Sequence, residues 1–170
     1  MDHLLIETKF EASADGEIEA IAWPFATPDR VGDVITKGAF AKASFPIPLL
    51  FGHDPNDPVG VWSTGEERDD GLHLKGRLLV EDVHRAREVR ALVRAGAVRG
   101  VSIGFRTKAS SKRKGGGRTI TDLELMECSL VTFPCHPGAQ VASAKSAVRA
   151  LQLASALHRA TAQLSQGKVQ

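Results

Sequence analysis

Turn-forming residues recur so often in the first half of the chain that the segments between them are short: Asp15-Gly16, Pro28-Asp29, Gly32-Asp33, Gly38, Pro46, Pro48, Pro55, Pro58, Gly60, Gly65 and Asp70-Gly71. Such spacing favours strands over helices. Two of the segments alternate, with apolar side chains at every second position: Ile18 to Trp23 and Leu72 to Leu78. Both read as half-buried strands, the second entered from a hairpin turn at Asp69-Asp70-Gly71. Hydrophobic residues make up 42% and charged residues 25% of the 170 positions, the balance of a chain that packs a core. That length suits one domain followed by a tail.

The period changes after Val83. Val83, Ala86, Val89 and Val93 recur at three- and four-residue intervals, with arginines on the other face, so an amphipathic helix is expected from Val83 to Ala95, ended by Gly96. Val98 to Phe105 and Leu123 to Phe133 are then apolar and β-branched, and read as strands, the second largely buried. Between them, Arg106 to Arg118 holds six basic residues, no acidic one and the run Gly115-Gly116-Gly117. A mobile, solvated hairpin tip is the expectation, with docking of an acidic partner as the alternative. Residues 142–170 are Ala-rich and lack Asp and Glu, so a basic amphipathic helix or removable tail is expected there, dividing the chain into a 1–141 domain and a 142–170 tail.

The formal charge of +2 is too small to argue for a nucleic-acid or membrane surface, and no apolar run approaches the length of a membrane span. Two cysteines, Cys128 and Cys135, cannot build a dense disulfide framework, and the first residues lack the pattern of a signal peptide. A reducing cytoplasm is the expected compartment.

Three side chains have the context and chemistry of a hydrolytic site. His53 follows the apolar run Leu49-Leu50-Phe51 and precedes a turn, which puts an imidazole at a strand end. Ser102 lies inside an apolar strand between Gly100 and Gly104, two glycines that would let a substrate backbone approach. A serine hydroxyl becomes a nucleophile only beside a base that a third polar group orients. Glu127 is a carboxylate in a strongly apolar strand, where an unpaired charge is costly, so it requires a partner: either an arginine or His53. Each residue alone also has a structural reading, as a hydrogen-bonded strand serine, a turn histidine and an ion-paired carboxylate. The letters Gly-Val-Ser-Ile-Gly match a nucleophile elbow, but the chain is short and no helix follows Ser102, which excludes an α/β-hydrolase. Cys128 and Cys135, with His136 beside the latter, offer a thiol nucleophile as a rival. A metal site from His53, Asp54, His73 and Glu127 lacks any recognised ligand spacing.

Five blocks in order resemble the phage prohead, or capsid maturation, proteases, which are similar to the herpesvirus assemblins. They are Asp29-Arg30-Val31-Gly32-Asp33-Val34-Ile35 with Gly38-Ala39-Phe40; Leu50-Phe51-Gly52-His53-Asp54 with Pro58-Val59-Gly60-Val61-Trp62; Gly71 to Leu78; Ala95 to Phe105; and Glu127 to Pro134. The resemblance spans Ile18 to Val141 and implies a mostly β fold with helices (α+β): a closed antiparallel β-barrel of the herpesvirus-protease type with surrounding helices. It implies that Ser102 and His53 are the catalytic pair of a serine endopeptidase that needs neither cofactor nor metal. Assemblins place a third catalytic residue 25 positions after the serine, which lands on Glu127, where they carry a histidine. They form an oxyanion loop after an arginine pair; the corresponding region near Pro134 and Cys135 has no such pair, so the donors are unassigned. The implied partners are the major capsid protein and scaffold segments, with self-cleavage and a weak homodimer, inside an assembling procapsid in the host cytoplasm. A non-catalytic capsid-assembly or scaffold-binding module on the same barrel is the alternative.

Overall fold

The computed structural model describes residues 15–142. Eight strands and one helix follow in the order β1 (Glu17–Pro24), β2 (Val34–Ile35), β3 (Ile47–Phe51), β4 (Pro58–Glu67), β5 (Gly71–Leu78), α1 (His84–Arg94), β6 (Gly100–Lys112), β7 (Arg118–Val131) and β8 (Gln140–Ala142). The lateral order is β2-β7-β3-β4-β5-β1-β8-β6, and β6 pairs again with β7. Seven strands therefore close into a barrel, with β2 appended to the outer register of β7. Closure removes the unpaired edges that an open sheet would expose. The ring is antiparallel except where β3 runs parallel to β7, and β2 also pairs with β7 in parallel.

The alternation read from the sequence sets the inward face. Ile18, Ala20 and Ala22 of β1 and Leu72, Leu74 and Leu78 of β5 are buried, and the two strands pair directly. Trp62, Leu49, Ile120 and Leu130 fill the barrel with them, each large apolar side chain contributing about 1.5–3 kcal/mol by leaving water. Trp62 also donates its Nε1–H to the Cys128 carbonyl at 2.9 Å, tying β4 across the interior to β7.

The helix falls where the period predicts it. Its buried face is Ala86, Val89 and Val93, and Gly96 ends it in the left-handed conformation at φ +74°. Arg85 projects from its first turn to Asp57, with Nε and Oδ2 3.1 Å apart, and its guanidinium lies over the Phe51 ring at 4.7 Å. The turn after β3 is thus braced from the helix.

The basic segment 106–118 is a hairpin, as expected, but with longer strands than its composition suggests. Most of it is strand: β6 runs to Lys112 and β7 begins at Arg118, paired from Arg106↔Glu124 to Lys112↔Arg118 with register shifts around Ala109. Four of its six cations are engaged. Arg106 and Lys108 meet Glu124, Arg113 donates to the Gly32 carbonyl, and Arg118 grips Asp33. The helix expected over 142–170 lies, from residue 143 onward, outside the described residues. Among the described residues, no helix is long and apolar enough to cross a membrane.

Candidate active site

Strand pairing around β7 gathers the candidate residues. On one side, Ser102 of β6 is the ladder partner of Ser129, and Gly104 is the partner of Glu127. Facing residues of an antiparallel pair share a face, as do residues two apart on one strand. Ser102, Gly104, Glu127 and Ser129 therefore form one strip. On the other side, β3 runs alongside with Leu50 against Ser129 and Phe51 against Leu130. The Gly52 N–H donates to the Leu130 carbonyl at 3.0 Å, which delivers the next residue, His53, to the end of the strip.

His53 turns back over the strip because its backbone is left-handed, with φ +63° directly after Gly52 at φ +66°, a region that side-chain-bearing residues seldom occupy. Its Nδ1 lies 2.7 Å from Glu127 Oε1. A carboxylate only accepts, so Nδ1 carries the hydrogen, and in the neutral imidazole Nε2 then holds the lone pair. The second carboxylate oxygen, Oε2, accepts from Ser129 Oγ at 2.7 Å, and the same Oγ accepts the His53 backbone N–H at 3.0 Å. The His53 side chain is 43% exposed and that of Glu127 14%, so the carboxylate is shielded while the imidazole faces outward. Ser102 is buried. It stands on the same strip as Glu127, with no hydrogen bond to the His53 ring.

The two glycines flanking Ser102 correct the expectation that they make room for substrate. A methyl group on Gly104 would collide with Glu127 Oε1, and one on Gly100 with the Pro134 ring. The space that Gly104 leaves is filled by the carboxylate itself.

The thiols are placed unlike nucleophiles. Cys128 is fully buried, and burial first, then the nearby Glu127 charge, push its thiol well above the ordinary range. Cys135 is exposed and donates to Asp29 Oδ2 at 3.3 Å; partial burial, that bond and the Asp29 charge raise its thiol as well. A raised thiol holds less of the reactive thiolate. His136, its neighbour, is buried, stacks edge-on against Trp23 and accepts the Gly138 N–H at Nδ1, a structural role in the loop after β7. His73 bonds Asp70, and Asp54 caps its own turn at the Asn56 N–H, so neither joins His53.

Ser129 went unnoticed in the sequence, although one signal was there: it is a second polar residue two positions beyond Glu127, hence on the same face of an otherwise apolar strand.

Comparison with known proteins adds independent information. Residues 5–153 match the family described as caudovirus prohead serine protease. The chain is 31% identical over 150 residues to the prohead protease of Enterobacteria phage HK97, covering 82% of this chain and 66% of that one. It is 33% identical over 127 residues to the capsid polyprotein of Pseudomonas phage PAJU2, covering 71% of this chain and 19% of that one. To the prohead protease of Escherichia phage T5 it is 31% identical over 126 residues, covering 69% and 58%. The chain thus spans less than two thirds of the length of each of these relatives. Among solved structures, the KSHV protease in complex with a hexapeptide phosphonate inhibitor superposes with a TM-score of 0.50 at 12% identity, covering 74% of this chain and 63% of that one. The fold is therefore similar to that of the herpesvirus proteases, as the sequence blocks imply.

Proposed function

The chain belongs to the caudovirus prohead serine protease family, and from that premise we propose that it is a serine endopeptidase acting through Ser102, His53 and Glu127 on capsid and scaffold segments within an assembling procapsid. The observation that carries this reading is the 2.7 Å contact between His53 Nδ1 and Glu127 Oε1, made on the strip that also bears Ser102. In the proposed reaction Ser102 Oγ attacks the scissile carbonyl while His53 Nε2 takes its proton. The imidazolium so formed is stabilised by Glu127, then returns the proton to the leaving amine; water repeats the sequence on the acyl-enzyme. Contacts between nucleophile and base are commonly long in the free enzyme and tighten once substrate is bound. The likeness to part of a phage capsid polyprotein supports a capsid protein as the partner, and cleavage of the chain itself belongs to the same reading.

The test is co-expression with the capsid and scaffold proteins of the same phage. Wild type should process them, whereas Ser102→Ala and His53→Ala should each lower the rate by about 10⁶-fold, as loss of either residue does in other serine proteases. Processing that survives both substitutions rules out the serine mechanism.

A further inference from the structure

We infer that Ser129 is a positioning residue for the His53–Glu127 pair, its one hydroxyl orienting the carboxylate and anchoring the histidine backbone together. The inference rests on the reading of His53 as base and Glu127 as its orienting carboxylate.

A glutamate held at one oxygen keeps its terminal torsion, which is broad and weakly preferred. The bond from Ser129 Oγ to Oε2, beside that from His53 to Oε1, fixes both oxygens and so the carboxylate plane. The second contact acts on the other partner. His53 holds a left-handed backbone, a conformation that persists only where the surroundings over-determine it. The bond from its N–H to Ser129 Oγ is one of those restraints, with the Gly52 N–H to Leu130 carbonyl bond as another.

Burial separates this from ordinary strand chemistry. Ser129 is wholly enclosed, and its loss removes the partner of Glu127 Oε2 and the acceptor of the His53 N–H together. A strand serine usually bonds a neighbouring backbone carbonyl. This one spends its donor on the carboxylate two residues away and an acceptor site on the amide 76 residues away. Ser129 also faces Ser102 across the ladder, so a larger side chain there would crowd the proposed nucleophile.

The experiment uses the full chain and two readouts. Processing kinetics should show kcat falling by about 10²-fold in Ser129→Ala with KM unchanged, the scale expected for a small displacement of a reacting group. Combined with Glu127→Gln, the loss should be smaller than the product of the two single losses, because the residues act through one another. Ser129→Cys, the nearest in shape but a weak donor, should show a defect at least as large and serves if the alanine variant does not fold. The second readout is the proton resonance of His53 Nδ1–H, recorded in the Ser102→Ala background, which should shift or vanish when Ser129→Ala is added. A wild-type rate in a folded Ser129 variant, losses that simply multiply with Glu127→Gln, or an unmoved resonance would each overturn the inference. Failure of the underlying reading shows separately, as processing that survives Ser102→Ala.

Discussion

Two carboxylates lie against β7 and serve opposite ends. Asp33 accepts the Arg118 backbone N–H at 2.7 Å and the guanidinium through Nε and Nη2. Glu127 accepts one bond from His53 and one from Ser129. Burial does not separate them, since their side chains are 7% and 14% exposed. The partner does. A guanidinium keeps its protons throughout the physiological range, so Asp33 is locked, its carboxyl held below the ordinary range chiefly by the Arg118 hydrogen bonds. An imidazole can take up and release a proton, so on the proposed reading a carboxylate of similar burial serves a device that moves one. The residue beside a buried carboxylate, more than its burial, separates structure from chemistry.

The largest effect that sharpens this contrast is expected at Glu127. Glu127→Gln should lower processing by about 10⁴-fold, the cost of turning an orienting carboxylate into an amide in a serine protease, while the urea midpoint moves little. Gly104→Ala comes next. The added methyl displaces Oε1 of Glu127, and a shift of about 1 Å in a catalytic group costs about 10²-fold in kcat. Asp33→Asn is expected to have the smallest effect: an unchanged rate, with a stability loss of about 1 kcal/mol by urea unfolding at pH 7, at the low end because Arg118 is half exposed. Its pH dependence has a definite sign. The Asp33 carboxyl is depressed from 3.8 in the folded state, so its stabilisation is complete above that value and is lost as pH falls through the lower folded value. The gap between wild type and variant should therefore be constant from neutral pH down to the ordinary carboxylate range and close below it. Should Asp33→Asn slow processing as severely as Glu127→Gln, the division between lock and site collapses.

What could be read from the sequence depended on how local the cause was. The helix, β1, β5 and the hairpin at Asp69 to Gly71 arise from periodicity and turn chemistry within a few residues, and they appear where the pattern puts them. The ribbon from Arg106 to Arg118 does not show a period of two, because it is polar on both faces. What orders it is remote: Glu124 across the ladder, and Gly32 and Asp33 some 80 residues earlier. The requirement that Glu127 find a partner was legible from the cost of burying its charge, and the partner is His53. Ser129 had only one weak signal, its place two positions beyond Glu127 on the same strand face, and its contact with the His53 backbone exists only once β3 is laid against β7. Gly104 was noticed for its missing side chain, but the occupant of the gap comes from the facing strand, which pattern alone does not supply.

The parallel pairing of β3 with β7 also sets a clock. His53 and Glu127 are 74 positions apart, and a chain made from its N-terminus holds the histidine long before the glutamate exists. Contacts so distant in sequence cost loop entropy and form late. A nascent chain that stops short of Arg118 already carries His53 and Ser102, yet it lacks both the carboxylate and the strand that aligns them. On the proposed reading, competence therefore requires ring closure, and a half-made polypeptide would be inert toward its neighbours and toward itself.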